Sequence, residues 1–149
     1  MKVQHEVYLM LERAKMLNNA SAWVYAMRDN YKLQADLINS IKDRLFKEGV
    51  DEDRRIIGTY SAYTEKLNPK KKVGTRYTLF DTGEFYSSIY IQVMNDYFLI
   101  NGDGDKGDEN LFDKFGYGII GLDENLFDWF SEEIINKYLE YVGRVLYGD

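Results

Sequence analysis

The hydrophobic positions between Asp29 and Glu48 recur with the spacing of an α-helix. Four apolar residues follow one another at intervals of four: Leu33, Leu37, Ile41 and Leu45. Side chains with this spacing lie on one face of a helix, and Ile38 widens that face. Gly49 follows directly and is a typical C-terminal stop. The pattern therefore predicts an amphipathic helix over residues 29–48.

A six-residue repeat occurs in the C-terminal third of the chain. Residues 108–113 and 123–128 both read Asp-Glu-Asn-Leu-Phe-Asp. An aspartate can accept hydrogen bonds from the free amides at a helix N-terminus, and its negative charge is favourable there. We therefore expect Asp108 and Asp123 to cap two separate helices.

The two helices of the repeat are predicted to differ in length. The first stops at Gly116, and the second continues to about Leu146. The second helix carries an apolar face that comprises Leu126, Phe130, Ile134, Tyr138 and Val142. Near the N-terminus, residues 2–18 predict another helix, which Asn18-Asn19 interrupts.

The middle of the chain has the alternation of a β-strand. Apolar and polar side chains alternate over residues 89–94, Asn95-Asp96 forms a turn pair, and residues 97–100 return as a second strand. The pattern indicates a β-hairpin near 87–101. Residues 59–77 are predicted to be a loop because Pro69 and Gly74 punctuate them.

These elements predict an α+β fold, with amphipathic helices packed on a small antiparallel sheet and a long C-terminal helix. The 149 residues suit a single domain over 1–149, with residues 1–28 as a candidate N-terminal helical arm. The chain contains no cysteine, which excludes thiol catalysis, disulfides and cysteine-bound zinc. No apolar run approaches the ~20 residues of a membrane span. The 13 tyrosines suit subunit interfaces as well as an aromatic core.

Charge is distributed unevenly along the sequence. Residues 1–76 hold 15 basic and 10 acidic residues, a net charge of +5, and residues 77–149 hold 4 basic and 15 acidic residues, a net charge of −11. An acidic half is unusual for a protein that reads nucleic acid, so no sequence-specific nucleic acid is expected as a partner. The asymmetry suits head-to-tail contacts between identical subunits. Both sets of charges can also be plain solvated surface.

Asp81-Thr82-Gly83 is the active-site triplet of aspartic proteases, and Ile119-Ile120-Gly121 resembles a segment that supports the catalytic loop in retroviral-type proteases. In such a homodimer, Asp81 would share a proton with its symmetry mate. Three features oppose this reading. Glu84 stands where a small residue is expected, only 38 positions separate Asp81 from Ile119, and the flanking segments look helical. The triplet is otherwise a turn stabilised by side-chain hydrogen bonds.

The acidic loop over residues 101–110 has some of the spacing of an EF-hand. Asn101, Asp103 and Asp105 occupy alternate positions, but Lys106 and Phe112 stand where Gly and Glu are required. A solvated loop is the simpler interpretation. Neither a metal nor a cofactor is predicted.

Residues 33–94 resemble a family of bacteriophage virion-morphogenesis proteins, the tail-completion or head–tail joining (neck) proteins, as found in phages of Bacteroidetes. The shared features are the amphipathic helix before Gly49, the Tyr60-Ser61-x-x-Thr64 turn with a lysine-rich spacer, and residues 79–89. Ala62 and Phe85 depart from the residues that many members have, Pro and Leu.

The resemblance implies a structural protein without catalytic activity, which forms a homo-oligomeric ring between the portal or head and the tail. Its partners would be copies of itself, portal or adaptor proteins and tail proteins, and no membrane. It would reside in the virion neck or tail, and in the host cytoplasm during assembly. The candidate interface residues are Tyr60, Thr64, Lys70, Lys71, Lys72, Arg76, Asp81, Thr82 and Gly83.

Overall fold

The structure is a computed structural model that describes residues 2–15 and 17–148. Within these ranges it contains seven α-helices and a two-stranded antiparallel sheet, which confirms the α+β prediction. The helices are α1 (Lys2–Lys15), α2 (Asn19–Trp23), α3 (Tyr31–Glu48), α4 (Ala62–Leu67), α5 (Glu84–Ser88), α6 (Leu111–Phe115) and α7 (Glu124–Tyr147). The strands are β1 (Tyr90–Val93) and β2 (Phe98–Asn101). A π-helical turn, Val24–Arg28, extends α2, and a 3-10 turn, Tyr117–Ile120, follows α6.

Helix α3 is the central element, and its predicted apolar stripe is confirmed. The helix begins at Tyr31 because the side chain of Asn30 accepts a hydrogen bond from the Leu33 amide at 3.1 Å. It ends at Gly49, whose φ of 62° is left-handed. All four stripe residues are buried: Leu33, Leu37, Ile41 and Leu45.

The core consists of two clusters that α3 connects. Ile41 and Leu45 belong to the larger cluster, together with Phe85, Phe112 and Ile119. The smaller cluster is formed by Met27, Leu33, Leu37 and Phe130, and the hairpin packs against it. One helix face therefore joins the hairpin side of the molecule to the α5–α6 side.

The hairpin prediction is confirmed over a shorter range. The strands pair from Tyr90↔Asn101 to Val93↔Phe98. The hairpin begins at residue 90 and not near residue 87, because residues 84–88 form α5. The indole of Trp23 donates a hydrogen bond to the carbonyl of Met94 at 2.8 Å, which ties α2 to the hairpin turn.

Helix α7 has the predicted length, and Asp123 caps it by accepting from the Leu126 amide at 2.9 Å. Phe130 is buried on its predicted face. Tyr138 on the same face is 41% exposed, because a spacing of four residues drifts by about 40° per step around a helix of 3.6 residues per turn. Near the end of α7, Arg13 of α1 donates to the Leu146 carbonyl at 3.0 Å.

Two sequence-based expectations are wrong. Residues 59–77 are not a continuous loop, because Ser61 accepts a hydrogen bond from the Thr64 amide at 3.2 Å and starts α4. Asp108 does not cap α6. The amides of Phe112 and Asp113 bond to the Asn110 side chain instead, because a tight turn over residues 105–110 keeps Asp108 out of the helix.

Candidate subunit interface

Residues 59–77 form a lobe that is closed at its base by main-chain hydrogen bonds. The Tyr60 amide donates to the Thr75 carbonyl at 2.9 Å, and the Gly74 amide donates to the Tyr60 carbonyl at 2.9 Å. The Tyr77 amide then donates to the Gly58 carbonyl at 2.8 Å. We call residues 59–77 the lysine lobe. Its two ends are held side by side, so its side chains have defined neighbours.

Glu65 fastens the interior of the lysine lobe. Its carboxylate accepts from the Val73 amide at 2.8 Å and from the Lys72 ammonium at 3.1 Å. The Val73 amide and then the Lys72 side chain lower the pKa of Glu65 below its ordinary value, because both interactions favour the charged carboxylate. Lys72 therefore pairs with a carboxylate within the lobe, and it lines neither of the clefts described next.

The structure brings together three of the predicted interface residues, Tyr60, Lys71 and Asp81. The Lys71 ammonium lies 3.2 Å from the Asp81 carboxylate and 5.7 Å from the centre of the Tyr60 ring. The Tyr60 ring packs edge-on against Tyr77, with ring centres 4.8 Å apart. These contacts join the lysine lobe to the turn that carries Asp81.

Beside these residues is a cleft of about 340 Å³, which we call the aromatic cleft. Its apolar surface is formed by three rings, Tyr60, Tyr77 and Phe115, and by two leucines, Leu79 and Leu111, and Thr64 also lines it. Three lysines line it as well: Lys71, Lys106 and Lys114. Two of these ammonium groups have carboxylate partners in the cleft, Lys71 with Asp81 and Lys114 with Glu109 at 2.7 Å.

A second cleft, of about 620 Å³, adjoins the first across Tyr60, Lys71 and Asp81. Lys70 and Arg76 line it. Phe46 and Phe80 line it too, with ring centres 5.6 Å apart in an edge-to-face contact. Six of the predicted interface residues therefore surround two neighbouring clefts, namely Tyr60, Thr64, Lys70, Lys71, Arg76 and Asp81.

The Asp81-Thr82-Gly83 segment forms the turn that the sequence predicts. Thr82 accepts from the Glu84 amide through its hydroxyl at 3.3 Å. Gly83 has a φ of 90° and immediately precedes α5, so the turn uses the conformational freedom of glycine. The Asp81 side chain is 61% exposed. Thr82 and Gly83 therefore shape the turn and line neither cleft.

The chain is strained immediately before this turn. Leu79 has a φ of 56°, a conformation that is uncommon for residues other than glycine. It is held from both sides. The Tyr86 hydroxyl donates to the Thr78 carbonyl, and the Phe80 amide donates to the Thr78 hydroxyl at 3.3 Å. Burial raises the pKa of Tyr86 above its ordinary value, so this donor keeps its proton. These contacts hold the backbone on either side of Leu79, and this segment leads directly to Asp81.

A buried ionic cluster escaped the sequence-based prediction. Arg44 of α3 is 4% exposed and donates to the carbonyls of Gly121 at 2.8 Å and Ile119 at 3.0 Å. The Asp123 carboxylate lies 3.9 Å from Arg44 and 3.3 Å from Arg54. Burial lowers the pKa of Arg44, and Asp123 partly offsets that effect. Arg44 stands three residues after Ile41 on the apolar face, which was the available signal.

This cluster gives a structural role to the Ile119-Ile120-Gly121 segment. Ile119 and Ile120 are buried in the larger core cluster. The Glu52 side chain packs so closely over Gly121 that an added Cβ would lie 1.6 Å from a Glu52 oxygen. The segment therefore closes the core around Arg44.

The acidic loop after β2 uses its carboxylates in its own turns. Asp103 accepts from the Asp105 amide at 3.0 Å, and Asp105 accepts from the Gly107 amide at 2.8 Å. Among residues 2–15 and 17–148, no group of three His, Asp or Glu side chains is placed to hold a metal ion. In the same part of the chain, no helix has the length and apolar character needed to cross a bilayer.

The chain matches no protein-family model, no curated protein and no solved structure. A functional proposal therefore depends on the surface described above and on the residues that form it.

Proposed function

We propose that this protein is a structural subunit of a bacteriophage neck or tail, which assembles into a homo-oligomeric ring between the portal and the tail. The grouping of six predicted interface residues around two adjoining clefts supports this proposal most directly. Such a surface contains aromatic rings, which are enriched at contact sites between proteins, beside a polar rim. The partners would be further copies of the chain, portal or adaptor proteins and tail proteins.

The surface also carries apolar groups that water does not favour. On the lysine lobe, Tyr63 is 71% exposed and Leu67 is 69% exposed. Val73 on the same lobe is also exposed. Three exposed large apolar side chains on one short, lysine-rich lobe favour a surface that becomes covered in an assembly. The protein would act in the virion, after assembly in the host cytoplasm, and would catalyse nothing.

Oligomeric state is the first test of the proposal. Native mass spectrometry and light scattering should detect a defined homo-oligomer, either alone or after addition of candidate portal and tail proteins. The genes beside its own provide an independent check, because a portal or tail gene there would support the proposal. A chain that stays monomeric in every mixture would refute the ring.

The aspartic-protease alternative makes the opposite prediction for Asp81. A protease would cleave peptides best at mildly acidic pH, and Asp81→Asn would abolish cleavage because the shared proton is lost. We expect no cleavage by the wild type. For Asp81→Asn we expect a loss of stability of about 1 kcal/mol or less, since one exposed bond to Lys71 is removed. A pepstatin-sensitive activity that disappears in this variant would establish the protease instead.

A further inference from the structure

An exposed phenylalanine stands in an acidic environment at the start of α7. Phe127 is 57% exposed. Residues 124–133 contain four acidic residues and no basic residue, a net charge of −4. Glu124 and Asp128 flank Phe127 on the helix, three residues before it and one after it. Phe127 therefore presents an apolar ring to solvent on an acidic stretch of the helix.

The aromatic cleft has the complementary character. Three aromatic rings contribute to its apolar surface, and Lys106, which lines it, forms no ion pair among the described residues. The adjacent stretch 59–76 holds five basic residues and one acidic residue, a net charge of +4. Asp81 and Glu109 also line the cleft, each paired with a lysine. The unpaired charge at the cleft and on the neighbouring lobe is therefore positive.

The dimensions also agree. A closed apolar cavity of about 150 Å³ can hold a benzene molecule. The aromatic cleft is an open cleft of about 340 Å³, so its volume is sufficient for a phenyl ring. Phe127 does not line the cleft of its own chain.

We propose that Phe127 of one copy inserts into the aromatic cleft of the next copy, with Glu124 and Asp128 facing the lysines of the cleft. This inference rests on the proposed ring. A projection and a cleft formed by different parts of one chain give a head-to-tail contact, which closes into a ring when the rotation permits. A central aromatic anchor with complementary charge around it is the usual arrangement of a strong contact.

Phe127 is the best anchor among the exposed phenylalanines. Phe46 and Phe80 are partly exposed but contact each other edge-to-face, at 5.6 Å between ring centres. Both line the second cleft, beside Lys47 and Lys70, so a lysine-rimmed cleft would not attract them. Among the described residues, Phe127 packs against no other aromatic ring.

Mixing two variants tests the contact. Phe127→Ala removes the anchor and keeps the cleft. Lys106→Glu reverses a charge at the cleft and keeps the anchor. Each variant alone should self-associate about thirtyfold more weakly than the wild type, as expected for an interface hot spot. An equimolar mixture should form a dimer, because one intact anchor still meets one intact cleft. Native mass spectrometry distinguishes the mixed pair by mass.

Two controls accompany the mixture. Tyr31→Ala removes an aromatic side chain that is 75% exposed but lies outside both partner surfaces, so it should associate like the wild type. Circular dichroism should show an unchanged fold for all three variants. Added salt should weaken association of the wild type, since the flanking contacts are ionic.

The outcomes separate this inference from the function on which it rests. If the wild type assembles and Phe127→Ala assembles equally well, the proposed contact is wrong and the ring stands. If Phe127→Ala loses only its binding to a portal or tail protein, the anchor serves that partner and the self-contact is overturned. A wild type that never associates refutes both the contact and the ring.

Discussion

The two copies of Asp-Glu-Asn-Leu-Phe-Asp are identical in sequence, but they differ in the residue that caps the helix and in the burial of the phenylalanine. In the first copy, Asn110 is the helix cap, and the five-residue α6 buries Phe112 at 8% exposure. In the second copy, Asp123 is the cap, and the 24-residue α7 leaves Phe127 57% exposed. The helix starts two positions earlier in the second copy. Six residues of local sequence therefore did not decide where either helix begins.

Contacts with residues outside the six-residue repeat account for the difference in capping. Both copies offer an aspartate and an asparagine, and both residue types cap helices well. In the first copy, the Lys106 amide bonds to the Glu109 carbonyl at 2.9 Å and the Leu111 amide bonds to the Gly104 carbonyl at 2.8 Å, which leaves Asn110 in the capping position. In the second copy, Arg44 and Arg54 hold the carboxylate of Asp123.

The different burial of the two phenylalanines follows from the different positions at which the two helices begin. Phe112 stacks on Tyr117 with ring centres 4.6 Å apart and meets Phe85 edge-on at 5.9 Å. Its ring also covers Gly104, where an added Cβ would lie 2.7 Å away. The same residue type thus supports the core in one copy and remains available for contact in the other.

Among substitutions that compare the two copies, the largest expected loss of stability is at Asp123. Asp123→Ala removes a helix cap and a charge partner of the buried Arg44, so we expect a loss of about 3 kcal/mol or more. Asp108→Ala, the same change in the first copy, should cost less than about 0.5 kcal/mol because Asp108 is exposed and caps nothing. Chemical denaturation of both variants gives the comparison.

A milder variant keeps the Asp123 test decisive if Asp123→Ala fails to fold. Asp123→Asn preserves a capping acceptor but not the charge. It should therefore lose stability through the Arg44 and Arg54 contacts alone. Equal stability of Asp123→Asn and the wild type would show that the carboxylate serves only as a cap.

The second effect concerns the two phenylalanines. Phe112→Ala should destabilise the fold by about 3 kcal/mol, because a buried ring leaves a cavity among Phe85, Gly104 and Tyr117. Phe127→Ala should change the free energy of unfolding by about 0.5 kcal/mol or less. Thermal unfolding measures both. Similar losses in the two variants would mean that Phe127 also supports the monomer core, which would weaken its assignment as a contact residue.

These differences also mark what the sequence can predict. The apolar spacing of α3, the Gly49 stop and the hairpin turn are local signals, and the structure confirms each of them. The Arg44 cluster joins residues 77 and 75 positions apart. The lobe that carries α4 is closed by contacts such as Thr59↔Arg76. Pairings of this kind leave no periodic trace in the sequence, so they were missed.

The candidate site also contains some residues that local motifs could predict and others that they could not. The residues around Asp81 could be selected because the Asp-Thr-Gly turn and the lysine-rich spacer are contiguous motifs. The Lys106, Lys114 and Phe115 side of the aromatic cleft was not predicted. It comes from a segment that begins 46 positions after Tyr60 in the sequence, and only the folded core brings the two together.

The smallest expected effect compares the asparagines of the two copies. Asn110→Ala removes the side chain that accepts from the Phe112 amide at 2.9 Å and the Asp113 amide at 3.3 Å. A lost cap of this kind costs about 1 kcal/mol. Asn125→Ala alters an exposed position inside α7, and alanine has the higher helix propensity, so this variant should be neutral or more stable by a few tenths of a kcal/mol. In paired unfolding experiments, the midpoint of Asn110→Ala should therefore fall below that of the wild type. The midpoint of Asn125→Ala should stay unchanged or rise slightly. Destabilisation by Asn125→Ala equal to that by Asn110→Ala would show that the second copy also uses its asparagine as a cap, and the assignment of the helix start to Asp123 would fail.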